Sequence, residues 1–496
     1  MNIYSKKSYA IVFRVLSSLL IFFSVILLVP LIFSIFYGEF FRIAYAFFIA
    51  SAISILLAYI FRIPKREKTE AITSKEGALI VLMSWIIVIF LSSLPYYLSN
   101  TLTMSQAIFE ATSGWTTTGL TMITDVENTS KSLLAWRSIT QFLGGAGFAI
   151  IVMGAIIGPT GLGLYQAEGR IDNIVPNIRY SARIIMIAYT AYAIAGMIAL
   201  VIAGMNFFDA FNHSLTALAT GGFSTKNSSI GYYNSEIIEI IIMILMWLGA
   251  TGFGIHYVFW LRNWKALRKN YEPKQMAFFT ILGVTIVSLT GINKVFPDTS
   301  QALRHASFQV ISALTGTGFS TVDLSKWSNF PTGMFVLTIL MLLGGCMDST
   351  SGGIKQYRIT VLIKAIYLAV KKFLLPRDAI IQVEIWKGHT KKYLDDTLIR
   401  EAFIIIGLYM VSYLTGVLVL TSHNYTLQQS MFEVASAIAG VGLSCGITTP
   451  VMPAGALWTL IVEMFLGRLE FLVVIYAIAR IIRDLSSRRF CKKTAV

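Results

Sequence analysis

Charge is what this sequence has least of. Only 13% of its 496 residues are Asp, Glu, Lys or Arg, whereas 56% are hydrophobic, and the mean hydropathy is +0.70. So few charges do not make a water-exposed surface, and lipid must be the main solvent. Cysteine is also scarce. Cys346, Cys445 and Cys491 are odd in number and scattered, which argues against a disulfide framework or a clustered metal site. The five histidines are dispersed, and there is neither a Gly-x-x-x-x-Gly-Lys-Ser/Thr loop nor a Gly-x-Gly-x-x-Gly turn after a strand. Without converging acid, base, nucleophile or metal ligands the chain is read as a non-enzyme. Any nucleotide control must then come from another protein.

What is abundant is long apolar sequence. A crossing needs about 20 apolar residues in a helix, because no backbone group stays unpaired in hydrocarbon. Ten segments qualify: 8–36, 43–61, 77–97, 138–157, 184–205, 237–261, 276–292, 333–375 with a polar break, 402–420 and 456–478. The first is too long for a cleaved signal and lacks a clear small-residue site, so it is read as a retained helix. The net charge of +15 does not point to nucleic acid, because the basic residues are spread over loops rather than gathered in one patch with stacking aromatics. With the N-terminus inside, the segments 1–14, 62–75, 157–183, 262–274, 355–400 and 480–496 carry 32 of the 40 Lys and Arg. The positive-inside rule then predicts cytoplasmic termini.

Four segments resemble one another: Phe109 to Thr121, Thr216 to Thr225, Ser312 to Thr321 and Ser436 to Ser444. Aligning Gly119, Gly222, Gly318 and Gly442 gives spacings of 103, 96 and 124 residues, and each segment lies between apolar helices. The repeated unit is helix, half-length re-entrant segment, helix. Such a pattern suits a cation path. Potassium gives up its water only where carbonyl oxygens replace it, so backbone must leave helical geometry at membrane depth. Glycine permits the dihedrals and the close approach of four chains. Half-helices such as 105–115 and 302–315 would turn their negative ends to the axis, favouring a cation by about 0.3–1 kcal/mol each. Thr116, Thr117 and Thr118 add hydroxyls there. In the second segment Phe211 lies eleven residues before its glycine, whereas Phe109, Phe308 and Phe432 lie ten before theirs; its register is expected to differ by one.

These residues, with the Gly344-Gly345-Cys346 break and Arg468, resemble the TrkH/KtrB/HKT superfamily of potassium transporters over nearly the whole chain, and the extra helix pair at about 8–61 is similar to the TrkH branch. The resemblance implies an all-α membrane protein with four pseudo-symmetric, potassium-channel-like repeats. Its units would be an N-terminal helix pair at 1–68 and repeats at 69–170, 171–271, 272–390 and 391–496. It implies a filter of Thr117, Thr118 and Gly119; Thr220, Gly221 and Gly222; Gly316, Thr317 and Gly318; and Gly440, Val441 and Gly442. Glycine at all four aligned positions resembles the potassium-selective pattern, whereas serine at the first goes with sodium in plant relatives. The resemblance further implies potassium uptake at a bacterial inner membrane, a homodimer, and a TrkA-type cytosolic subunit that binds NAD and ATP; this chain itself would bind only K+.

The break in the eighth span, Gly344 to Lys355, holds Gly344, Gly345, Gly352 and Gly353. In the resembled family this place holds a gating loop hinged by glycines; the other reading is a cytoplasmic turn that ends the span early. Met347-Asp348 departs from the small residues expected there. Arg468 sits near the middle of the last span, where an unpaired guanidinium costs at least ~2.5 kcal/mol. Glu463 and Glu470 point to other faces of its helix, so its partner must come from elsewhere. It is either a fixed positive charge below the filter, acting with the loop, or half of a structural pair. Glu110, Glu433, Asp125, Glu127 and Asp298 are read as capping or solvated groups that can concentrate cations, and His213 as a satisfied polar contact. The basic loops suit anionic headgroups or an acidic partner surface equally. A secondary transporter with inverted repeats is disfavoured because all four units begin on the same side. Channel-like and proton- or sodium-coupled transport leave the same filter and stay open.

Overall fold

The computed structural model describes residues 3–62, 73–147, 178–290, 298–376, 381–387, 390–469 and 471–493. Outside the described residues lie the second half of the fourth expected span (148–157), most of the segments expected to be inner loops at 62–75 and 157–183, and Glu470. The described residues are mainly helical, and among them one short hairpin pairs Glu384–Lys387 against Thr390–Tyr393.

Among the described residues five helices are long and apolar enough to cross a membrane: Ser8–Phe36, Phe40–Arg62, Glu76–Leu98, Arg183–Ile202 and Asp396–Ser422. The sixth expected span is not one straight crossing. Glu236–Ala250 and Phe253–Trp260 meet at 103°. The break falls at Thr251-Gly252, where extended backbone interrupts the helical ladder. The eighth is divided into Pro331–Leu343 and Gln356–Leu374 by the glycine-rich stretch.

Four short helices sit among the long ones: Met104–Trp115, Phe207–Leu218, Thr299–Thr315 and Leu427–Ile438. Their starts are set by side-chain caps. Asn206, Asp298 and Thr426 accept the N–H groups of the first turn, and Thr103 and Thr426 form capping boxes with Gln106 and Gln429. Each short helix packs between long neighbours, and its interior face is almost wholly buried. The N-terminal pair Ile3–Ile26 and Phe40–Arg62 packs on Ser74–Leu98, the first helix of the first unit.

Candidate functional site

The four short helices end alike. Thr117, Thr220, Gly316 and Gly440 all take left-handed φ, at 56°, 50°, 71° and 62°. Their N–H groups reach the carbonyls of Gly114, Ala217, Ala313 and Ala437, and the N–H of the following residue reaches Ser113, Thr216, Ser312 and Ser436. That is a Schellman turn built four times. Two residues later the chain turns positive again, at Gly119, Gly222, Gly318 and Gly442 (φ 93°, 73°, 85° and 95°).

The turns consume their N–H groups and leave carbonyls over. Among the described residues, no hydrogen bond reaches the carbonyls of Thr117, Thr118, Thr220, Gly316, Thr317, Gly440 or Val441. The Gly221 carbonyl differs, accepting from Gln141 Nε2 at 2.5 Å. The threonine hydroxyls are spent locally: Thr117 Oγ1 donates to the Thr116 carbonyl, and those of Thr116 and Thr118 lie 2.7 Å apart.

The four turns interlock in a closed order. A Cβ placed on Gly119 would strike the carbonyl oxygen of Gly221; on Gly222, that of Thr317; on Gly318, that of Val441; and on Gly442, that of Thr118. All four contacts fall below 3.0 Å, where a real Cβ is essentially never found. First touches second, second third, third fourth, and fourth first. The four glycines line one cavity of about 420 Å³ together with the segments that follow them.

The second register does not slip. Thr103, Asn206 and Thr426 each cap a short helix sixteen residues before the aligned glycine. The residue matching Phe109, Phe308 and Phe432 is Asn212, buried and bonded to Ser138 Oγ at 2.6 Å, rather than Phe211. The odd unit is the third, whose helix begins earlier, after Asp298.

Nine residues before each glycine stand Glu110, His213, Gln309 and Glu433, all fully buried. Each holds the hydroxyl two residues after its glycine. Thr121 donates to Glu110 at 2.9 Å and Ser444 to Glu433 at 2.8 Å; His213 Nε2 lies 2.9 Å from Ser224 Oγ, and Gln309 Nε2 donates to Ser320 Oγ at 2.9 Å. Glu110 and Glu433 are therefore internal braces rather than solvated or capping groups, while His213 is the polar contact its sequence suggests. Asp125 is exposed in the loop between Met104–Trp115 and Lys131–Ala146, and hydrogen bonds from Asn128 and Asn227 hold its carboxyl below the usual carboxylate range.

Arg137 is a site residue that reasoning from sequence missed. Its Nε donates to Glu110 at 2.8 Å, its NH1 to the Ser224 carbonyl at 3.0 Å, and its guanidinium carbon lies 4.0 Å from the Phe223 ring centre. It thereby ties the first unit to the second. Gln141, on the same helix, also accepts the Phe223 N–H.

The stretch Gly344 to Lys355 lies against the ends of the short helices. A Cβ on Gly352 would strike the Ala439 carbonyl, and one on Gly316 would approach Ser351 Oγ. Thr350 Oγ1 donates to the Gly249 carbonyl at 2.8 Å and lies 3.0 Å from Thr220 Oγ1. The stretch is tied at both ends, with Cys346 N–H on the Ala250 carbonyl and Gln356 Nε2 on the Gly344 carbonyl. Met347 N–H donates to Glu272 at 2.7 Å. Arg468 closes the arrangement: NH1 donates to the Thr350 carbonyl at 2.7 Å and NH2 to those of Gly144 and Gly145 at 2.5 and 3.2 Å. Backbone carbonyls of the loop and of the first unit thus surround it.

The TrkH family, described as cation transport proteins, matches residues 43–488. An uncharacterized cation transporter of Methanocaldococcus jannaschii is 30% identical over 486 residues, covering 96% of each chain. The Trk system potassium uptake protein TrkH of Halomonas elongata is 29% identical, covering 94% of this chain and 98% of its own. The crystal structure of the potassium transporter TrkH from Vibrio parahaemolyticus superposes with a TM-score of 0.82 at 25% identity, over 94% of this chain and 98% of that one. A multi-pass helical chain with four interlocked glycine turns and a family match over nearly its full length is a membrane transport protein, and it belongs to the TrkH family.

Proposed function

We propose that this chain takes up potassium through a selectivity filter made by the four turns. Carbonyls of Thr117 and Thr118, Thr220 and Gly221, Gly316 and Thr317, and Gly440 and Val441 replace the ion's water. One observation carries the reading: each aligned glycine abuts the carbonyl before the next unit's glycine, in an order that returns to the first. The repeats then act as four quarters of one pore, within the boundaries 69–170, 171–271, 272–390 and 391–496.

The loop from Gly344 to Lys355 acts as the gate below it, hinged at Gly344, Gly345, Gly352 and Gly353, with Arg468 as the positive charge that holds it closed. Its contacts with Ala439, Thr220 and Gly249 support that position. The relatives' names place them in Trk systems. On that basis the chain is the membrane subunit of such a system at the bacterial inner membrane, with cytoplasmic termini, a homodimer served by a TrkA-type subunit that carries NAD or ATP.

The test is potassium and sodium flux into liposomes, each with and without a gradient of the other ion, for the wild type and Gly119→Ser. The expected result is potassium flux in the wild type and loss of discrimination in the variant, whose Cβ meets the Gly221 carbonyl. Absent potassium flux, or selectivity untouched by the substitution, overturns the assignment.

A further inference from the structure

Two adjoining cavities have no part in the transport path. The first, about 290 Å³, is lined by Arg268, Lys269, Tyr271, Lys274, Glu384 and Trp386. The second, about 360 Å³, shares Tyr271 and Lys274 and continues past Phe278, Phe279 and Ile363. One is basic and the other almost wholly apolar.

Three cations face one carboxylate in the basic cavity, and that carboxylate, Glu384, is already paired with Lys391. The lysines are held in place by aromatic faces: Lys269 Nζ is 4.6 Å from the Trp386 ring centre, and Lys364 Nζ, at the seam, 4.0 Å from that of Tyr271. Exposed Trp260, Trp264 and Tyr271 flank the same segment, the residue types that mark the boundary between headgroups and hydrocarbon. From that level the groove runs between the helices Glu272–Leu289 and Gln356–Leu374, with Phe278 60% and Ile363 54% exposed.

We infer that the paired cavities bind one anionic phospholipid, with its phosphate among Arg268, Lys269 and Lys274 and an acyl chain along Phe278 and Ile363. A free phosphate would use only the first cavity and a zwitterionic lipid chiefly the second; a lipid of net negative charge uses both. The wall holding Ile363 is the helix that starts directly after the loop ending at Lys355, so the lipid binds beside the segment that anchors the loop.

Native mass spectrometry of the full chain, titrated with phosphatidylglycerol, phosphatidylcholine and inorganic phosphate, tests this. Phosphatidylglycerol is expected to be retained selectively. The double variant Lys269→Gln/Lys274→Gln weakens it by roughly fivefold per lysine, and Phe278→Ser weakens it too. Lys371→Gln/Lys372→Gln, an equal charge loss near the end of the helix Gln356–Leu374 that carries Ile363, leaves it unchanged. Four results overturn the proposal: equal retention of the two lipids; displacement of phosphatidylglycerol by phosphate; equal loss in the control pair; or a Lys269→Gln/Lys274→Gln protein that keeps the lipid but loses a second copy of the chain, which would make the groove an interface.

Discussion

Arg137 and Glu110 meet at 2.8 Å with both side chains almost fully withdrawn from solvent, at 2% and 0% exposure. One carboxylate oxygen of Glu110 takes the guanidinium and the other takes the Met122 N–H. The ion pair therefore fixes the strand that follows the first glycine turn, and through the Ser224 carbonyl it fixes the second as well.

Removing one partner leaves the other charged and buried, which costs about 3–5 kcal/mol, whereas replacing both by apolar groups of similar volume is far milder. Arg137→Ala is expected to lower the melting temperature sharply and to abolish potassium selectivity. Arg137→Met/Glu110→Leu is expected to recover much of the stability without the selectivity. Melting curves of the purified variants, read beside liposome flux, decide it; equal stability of single and double variants refutes the ion-pair account.

At Gly318 an added methyl would lie on the Val441 carbonyl oxygen. Gly318→Ala should therefore cut potassium flux by at least about tenfold, the effect of a 1.4 kcal/mol barrier, whereas Gly407→Ala should leave it unchanged, since nothing lies within 4 Å of that position. Comparable flux through both variants would show that the close approach of the third and fourth turns is not needed.

The loop contacts give a separate expectation. Gly352→Ala forces the loop away from the Ala439 carbonyl, and Glu272→Ala removes the acceptor of the Met347 N–H. Arg468→Ala removes three bonds to carbonyls of two units. All three should raise basal flux in liposomes. Unchanged flux in Arg468→Ala would identify it as a structural tie.

Asp125 supplies a pH effect. Its carboxyl titrates below the ordinary value near 3.9, so its hydrogen bonds to Asn128 and Asn227 contribute above that value and are lost as pH falls through the lowered one. Asp125→Asn should therefore show a smaller drop in melting temperature than the wild type between about pH 5 and pH 3. Parallel curves would exclude the effect.

Much of the site was legible because it is repeated. Gly119, Gly222, Gly318 and Gly442 stand out through their common neighbours, and the hydroxyls of Thr121, Ser224, Ser320 and Ser444 recur at one spacing. Their buried partners do not. Glu110, His213, Gln309 and Glu433 share a position and a role but no chemistry, so no motif marks them, and each looks like an isolated polar residue. The bend after Ala250 lies in sequence that is apolar on both sides, where hydropathy is blind to direction. Arg137 sits in a helix of mixed composition, and only its distance to Glu110 distinguishes it from a loop cation. Phe211 misled because it is adjacent to the position that Asn212 fills.

Closing the ring of turns through Gly442 and Thr118 joins residues more than three hundred positions apart. Synthesis delivers the fourth turn last, so the ring stays open until nearly the whole chain is in the bilayer. In the filter proposed above, a partly made or truncated protein therefore lacks the fourth quarter of the ring.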